Sequence, residues 1–112
     1  MPALRFAETA RRLGASARAS GLAVPAFRCP PRVAGARRTI RRYPGGTVVS
    51  VRLRERPFDD VAADLVEGVL VANRVEGSAA PGLRGVLLAA ALTGTGVPSP
   101  EARMAERQTQ AA

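Results

Sequence analysis

The sequence contains no histidine, no lysine and no tryptophan, and it has one cysteine and one tyrosine. The lack of histidine removes the usual general base, the base partner of most serine and cysteine nucleophiles, and the commonest zinc ligand. The single cysteine, Cys29, cannot form a disulfide within the chain, so nothing ties the protein to an oxidising compartment. We therefore expect a non-enzymatic protein of the cytoplasm.

Long apolar segments are missing as well. The first thirty residues contain no apolar stretch of the roughly 7 to 15 residues that a secretory signal requires. The longest apolar run, residues 86–92, is far shorter than the roughly 20 residues that span a bilayer, and we expect no membrane association. The chain of 112 residues fits one small domain, predicted over residues 1–92 and followed by a linker-like polar tail over residues 93–112.

Arginine is abundant, and its distribution is the most informative feature of the chain. Nine of the 17 basic residues lie between Arg28 and Arg56, where Glu55 is the one acid, so this segment carries a net charge of +8. Such a concentration of positive charge indicates a polyanionic partner. The exclusive use of arginine, together with many alanines and glycines, is also typical of high-G+C bacterial genomes, and this weakens a functional interpretation of arginine as such.

Three segments have the pattern of helices. The first is amphipathic and is predicted to end near Ser20-Gly21, because glycine accepts the left-handed conformation that closes many helices. Prolines suited to a first turn predict helices over about 57–73 and about 79–92. The residues predicted to be buried are Ala3, Phe6, Ala7, Ala10, Leu13, Gly14 and Ala17 in the first helix, Phe58, Val61, Leu65, Val69 and Ala72 in the second, and Leu83, Val86, Leu87, Ala90 and Ala91 in the third.

A β-hairpin is predicted over about 37–54, because Gly45-Gly46 tolerates the positive φ of a tight turn between two alternating segments. With these glycines as the loop, Ile40 lies opposite Val51. The apolar face then holds Ile40, Val49, Val51 and Leu53, and the opposite face holds Arg37, Thr39, Arg41, Tyr43, Val48, Ser50, Arg52 and Arg54. The proline-rich segment before the hairpin is predicted to be extended, with room for a short edge strand. The predicted fold class is α+β, with a helix, the hairpin and then two packed helices that cover the hairpin's apolar face.

The arginine-rich face of the hairpin is the one group of residues with some functional specificity. Like charges opposite each other on a sheet repel by up to about 1 kcal/mol, so cross-strand pairs such as Arg37 with Arg54 require a counter-charge. A nucleic acid supplies this counter-charge through its phosphates, and one of its bases can stack on the ring of Tyr43. The predicted nucleic-acid-binding residues are Arg37, Arg41, Tyr43, Arg52 and Arg54. We expect mainly phosphate contacts, with little sequence discrimination.

The acidic residues allow a second interpretation. Five acids of the following segment could pair with the basic hairpin within the domain or across a homodimer. These acids are Asp59, Asp60, Asp64, Glu67 and Glu76. The chain would then be a protein–protein adaptor or self-associating domain with no nucleic-acid role, and its apolar contact surface would lie around Val66, Leu70 and Leu88.

Three further patterns are too weak to predict a cofactor, a metal site or a catalytic residue. Asp60, Asp64 and Glu67 share one helix face, but the alternating ligands of a calcium loop are missing. The segment 94–96, Gly-Thr-Gly, lacks the Gly-Lys-Ser/Thr of a phosphate loop. Cys29-Pro30 can present a thiolate to haem iron, yet one such ligand has little specificity.

Overall fold

The computed structural model describes residues 3–30 and 37–93, which form three helices and one three-stranded sheet. In chain order these are helix α1 (Ala3–Ala19), strand β1 (Ala26–Arg28), strand β2 (Arg38–Tyr43), strand β3 (Gly46–Val51), helix α2 (Phe58–Ala72) and helix α3 (Ala80–Thr93). A 3₁₀ turn over Gly77–Ala79 leads into α3. The predicted α+β class and the order helix, hairpin, helix, helix are confirmed. The predicted tail beyond Thr93, with the Gly-Thr-Gly segment, lies outside the described residues.

The helix boundaries follow local signals in the sequence. Helix α1 ends before Gly21, whose φ of 78° is left-handed, and the Leu22 N–H donates to the Ala17 carbonyl at 2.9 Å. Pro57 lies just before α2, in extended conformation, rather than inside its first turn. No helix in the described ranges has both the length and the apolar character needed to cross a membrane.

The sheet has the strand order β1-β3-β2, so β3 is its central strand. Strands β2 and β3 form the antiparallel hairpin, and β1 pairs in parallel with the other edge of β3, with Ala26 beside Val48 and Arg28 beside Ser50. The proline-rich segment therefore supplies a short edge strand, which is where a sheet tolerates neighbouring prolines.

The hairpin register differs from the predicted one by two residues. The turn consists of Pro44 and Gly45, and Ile40 lies opposite Val49 rather than Val51. The predicted Gly45-Gly46 loop is wrong because the fixed φ of Pro44 suits the first central position of a turn. A shift of two residues leaves every side chain on its predicted face, and Val49 and Val51 are fully buried.

Helix α2 is the centre of the core, with contacts to the sheet, to α1 and to α3. Because neighbours enclose it on several sides, Val66 and Leu70 are buried together with the predicted Val61, Leu65 and Val69. Val66 and Leu70 are therefore core residues. The predicted apolar contact surface for a protein partner is wrong in these two positions.

The buried face of α1 is rotated from the predicted one. Phe6, Leu13 and other predicted residues are buried, but Ala7 is exposed and Thr9 lies in the core. The Thr9 hydroxyl donates to the Arg5 carbonyl at 2.8 Å, which satisfies its hydrogen-bonding requirement within the helix. In α3 the predicted burial of Val86 is also wrong, since that residue is 51% exposed.

Asn73, at the end of α2, fastens the segment that leads into β1. Its side-chain oxygen accepts a hydrogen bond from the Ala23 N–H at 2.8 Å, and its amide donates to the Ala23 carbonyl at 2.9 Å. The same amide donates to the Val69 carbonyl at 2.9 Å. The side chain thus pairs with an extended backbone as a neighbouring strand would.

Asn73→Asp is expected to destabilise the protein more than Asn73→Ala does. Alanine removes three hydrogen bonds, two of them exposed, at a cost of about 1 kcal/mol, whereas a carboxylate also places negative charge against the carbonyls of Ala23 and Val69. Urea unfolding at neutral pH, followed by circular dichroism, measures both variants. An aspartate variant as stable as the parent protein would contradict the role of the donated bonds.

Candidate nucleic-acid interface

One face of the sheet packs on α2, and the other face, which we call the open face, is accessible to solvent. Alternation along the strands places Phe27, Ile40, Val49 and Val51 on the core side. The residues of the open face are Ala26 and Arg28 from β1, Val48 and Ser50 from β3, and Thr39, Arg41 and Tyr43 from β2. None of these seven residues is buried, and Tyr43 is 55% exposed.

Two more arginines, Arg37 and Arg52, extend the open face by one residue beyond the ends of β2 and β3. The Arg52 N–H donates to the Arg37 carbonyl at 3.0 Å, so these residues are opposed in the same register as the hairpin. Both side chains are exposed. Four exposed guanidinium groups, from Arg28, Arg37, Arg41 and Arg52, thus belong to one surface, which we call the arginine face.

Four of the five predicted site residues share this surface, and one does not. Arg54 lies in the turn before α2, next to Glu55 with its φ of 60°, and the predicted pair of Arg37 with Arg54 is wrong because of the register shift. Arg28 was missed because its position depends on a parallel pairing with β3. The alternation of Arg28 with the core residue Phe27 is the signal that could have found it.

Three other arginines of the basic segment connect the sheet to α2. Asp64 of α2 forms ion pairs with Arg38, at 3.3 Å, and with Arg56, whose side chain is only 5% exposed. Arg42 donates to the Val71 carbonyl at 2.9 Å, near the end of α2, where the helix dipole favours a cation. Three arginines are thus structural and four belong to the arginine face, while Arg54 belongs to neither set.

Arg56 also contacts the backbone of the arginine face. Its guanidinium donates to the Arg52 carbonyl at 3.0 Å and to the Arg37 carbonyl at 3.4 Å. These are the two residues that are opposed beyond the strand ends. The buried cation therefore connects the backbone of the arginine face to Asp64 and α2.

No member of the arginine face has an acidic partner within residues 3–30 and 37–93. The ion pairs of that part of the chain are Glu8 with Arg12, Asp64 with Arg38 and Arg56, and Glu67 with Arg84. Glu67 raises the pKa of Arg84 through its hydrogen bond and its charge. Of the five acids considered as internal counter-charges, Asp64 does pair with the hairpin, through Arg38, as the second interpretation allows. Glu67 pairs with Arg84 instead, and none of the five pairs with the arginine face.

The carboxylates of α2 do not converge as metal ligands. Asp64 faces two arginines, and Glu67 pairs with Arg84 of the neighbouring helix. Among the residues that the structure describes, no three acidic or cysteine side chains come together as a metal site would require. The chemistry that the arginine face offers is recognition of anions, by guanidinium groups with the hydroxyls of Thr39 and Ser50 beside them.

Comparison with known proteins finds no matching family model, no matching curated protein and no matching solved structure. Two features of this chain bear on its function: an arginine face without an acidic partner in the described residues, and the exposed ring of Tyr43 at one end of that face.

Proposed function

We propose that this is a non-catalytic nucleic-acid-binding protein of the cytoplasm that contacts the phosphate backbone with its arginine face. The observation that carries the proposal is that four exposed arginines from three segments share one sheet face without an acidic partner in the described residues. Guanidinium groups bind phosphates through paired hydrogen bonds, which makes arginine well suited to this contact.

Repulsion within the arginine face supports the same proposal. Opposed like charges on a sheet are destabilising, and Arg37 and Arg52 are opposed just beyond the ends of β2 and β3. A polyanion that binds across the strands relieves this repulsion and releases its own counter-ions. Because phosphate contacts carry no sequence information, we expect binding with little sequence discrimination.

The two sides of the sheet differ in what their arginines contact. Arg38, Arg42 and Arg56 all have acceptors on α2 or on neighbouring backbone. On the open side, the four arginines of the arginine face have no acidic partner in the described residues, so their guanidinium groups are available to an external anion.

The double substitution Arg41→Ala/Arg52→Ala is expected to weaken binding and its dependence on salt. Each lost phosphate contact reduces the slope of log K against log salt by about 0.7 to 0.9, so two lost contacts reduce it by about 1.5. Fluorescence anisotropy with labelled single- and double-stranded DNA and RNA, titrated across salt concentrations, measures both effects. The intact arginine face should give a slope of about −3 to −4.

The matched control removes the same charge from the helices, by Arg11→Ala/Arg84→Ala. Both residues are exposed, and neither belongs to the sheet. If net charge alone drove binding, the two double variants would lose affinity equally, and the assignment to the arginine face would be wrong. Absence of binding to every nucleic acid at low salt would overturn the proposed function itself.

A further inference from the structure

We infer that the ligand is a single-stranded nucleic acid and that one of its unpaired bases lies against Tyr43, in a groove at the turn end of the open sheet face. The inference rests on the proposed function, because it specifies which nucleic acid binds there and how. It adds a base-binding subsite to a surface that otherwise contacts only phosphates.

The groove has a volume of about 430 Å³ and is open to solvent. Its walls include Pro25 and Ala26 at the start of β1, Val48 of β3, Tyr43 and Gly46 at the hairpin turn, and Arg18 at the end of α1. Pockets for small ligands commonly have volumes of about 300 to 1,000 Å³, so the space suits a group of nucleotide size. Its open side allows a chain to enter and to leave.

The lining of the groove is suited to the flat face of a base. Tyr43, Ala26 and Val48 lie on the same side of the sheet as Arg41, so the groove continues the arginine face. Aromatic side chains bind bases by stacking, and small apolar residues beside the ring offer a surface free of charge. A strand whose phosphates follow the arginines therefore reaches the groove at the hairpin turn.

Arg18 adds a positive charge to the lining of the groove. It is exposed, and in the described part of the chain it forms no ion pair. A guanidinium at this position can contact the phosphate next to the bound base or stack on the base itself. The lining thus combines one aromatic ring, small apolar side chains and one cation.

The width of the sheet favours a single strand over a duplex. Neighbouring strands lie about 4.8 Å apart, so the outer strands of this sheet are separated by about 10 Å before the width of their side chains is added. A DNA major groove is only about 12 Å wide and admits a ribbon of two strands. In a duplex the base faces are also covered by their neighbours, and exposing one costs a few kcal/mol.

Intrinsic fluorescence tests the subsite directly, because Tyr43 is the only tyrosine and the chain has no tryptophan. Titration of the full chain with a single-stranded oligonucleotide should quench the tyrosine emission in parallel with the anisotropy change. The same sequence as a duplex, at equal nucleotide concentration, controls for absorbance by the nucleic acid and should leave the corrected emission unchanged.

Substitution at Tyr43 provides the second test. Tyr43→Ala should weaken single-strand binding by about 5- to 150-fold, the range that stacking of one base contributes, and should leave duplex binding unchanged. Tyr43→Phe retains a stacking ring and should bind single strands within about twofold of the parent protein.

The possible failures are distinguishable. Single-strand binding with unchanged tyrosine emission and an unaffected Tyr43→Ala variant would overturn the base subsite and leave the arginine face in place. Equal losses in the alanine and phenylalanine variants would also overturn it, because the ring would then not be the contact. Absence of all binding would overturn both the subsite and the proposed function.

Discussion

Asp64→Ala is expected to lower the free energy of unfolding by about 3 kcal/mol, because it leaves a buried arginine without its counter-charge. The Arg56 side chain is 5% exposed and that of Asp64 is 14% exposed, so water compensates poorly for the lost carboxylate. Breaking a buried pair from one side costs about 3 to 5 kcal/mol. We expect the lower end of that range, because Arg56 keeps its backbone carbonyl acceptors.

The control for this prediction is Asp60→Ala, one turn earlier on the same helix. Asp60 is exposed and has no ion pair in the described residues, so its removal should change stability by no more than about 0.5 kcal/mol. Urea unfolding monitored by circular dichroism compares the two variants. If Asp64→Ala were no more destabilising than Asp60→Ala, the ion pairs of Asp64 would not stabilise the attachment of the sheet to α2.

Gly68→Ala is expected to destabilise the protein by about 2 kcal/mol, although alanine is the better helix former by about 1 kcal/mol. A Cβ at this position would lie 2.5 Å from Val49 Cγ1 and 3.0 Å from Val49 Cγ2. Val49 is fully buried in the central strand, and its β-branched side chain has little freedom to move. The backbone of α2 at Gly68 therefore lies so close to Val49 of β3 that no Cβ fits between them without a shift.

The same substitution at Gly85 of α3 serves as the control. A Cβ there meets nothing within 4 Å, so Gly85→Ala should stabilise the protein by about 0.5 to 1 kcal/mol. Val49→Ala removes two buried methyl groups and should destabilise the protein by itself. The double variant Val49→Ala/Gly68→Ala should lose less stability than the sum of the two single losses, because the smaller side chain makes room for the added Cβ. Thermal unfolding of the single and double variants measures these effects, and a Gly68→Ala variant as stable as the parent would show that the helix can move away from β3.

The elements and the faces of this fold could be predicted from local sequence patterns. Alternation predicts Ile40 and Val49 on the core side even though the predicted turn is wrong, because the predicted and the observed turn differ by two residues in register and leave each side chain on the same face. The close approach at Gly68 could not be predicted, since it depends on how α2 meets β3. The sequence indicates that Asp64 could pair with the hairpin, but it does not identify the partner, Arg38, which lies 26 residues away in the chain.

The candidate site was predictable to the extent that it is local. Arg41 and Tyr43 belong to one strand, and a hairpin places Arg52 on the same face whichever of the two turns is used. Arg28 and Arg18 come from segments outside the hairpin, and their contribution depends on the parallel pairing of β1 and on the packing of α1. Sequence periodicity carries no information on contacts of that kind.

The position of Arg56 has a thermodynamic consequence for ligand binding. Because its guanidinium holds the carbonyls of Arg37 and Arg52, the backbone of both residues is already ordered before any ligand arrives. Under the proposed function, association would then immobilise only their side chains, at about 0.5 to 1.5 kcal/mol each, with no additional cost for ordering a loop. Arg56, which lies outside the proposed contact surface, would thereby preorganise two of the arginines that form it.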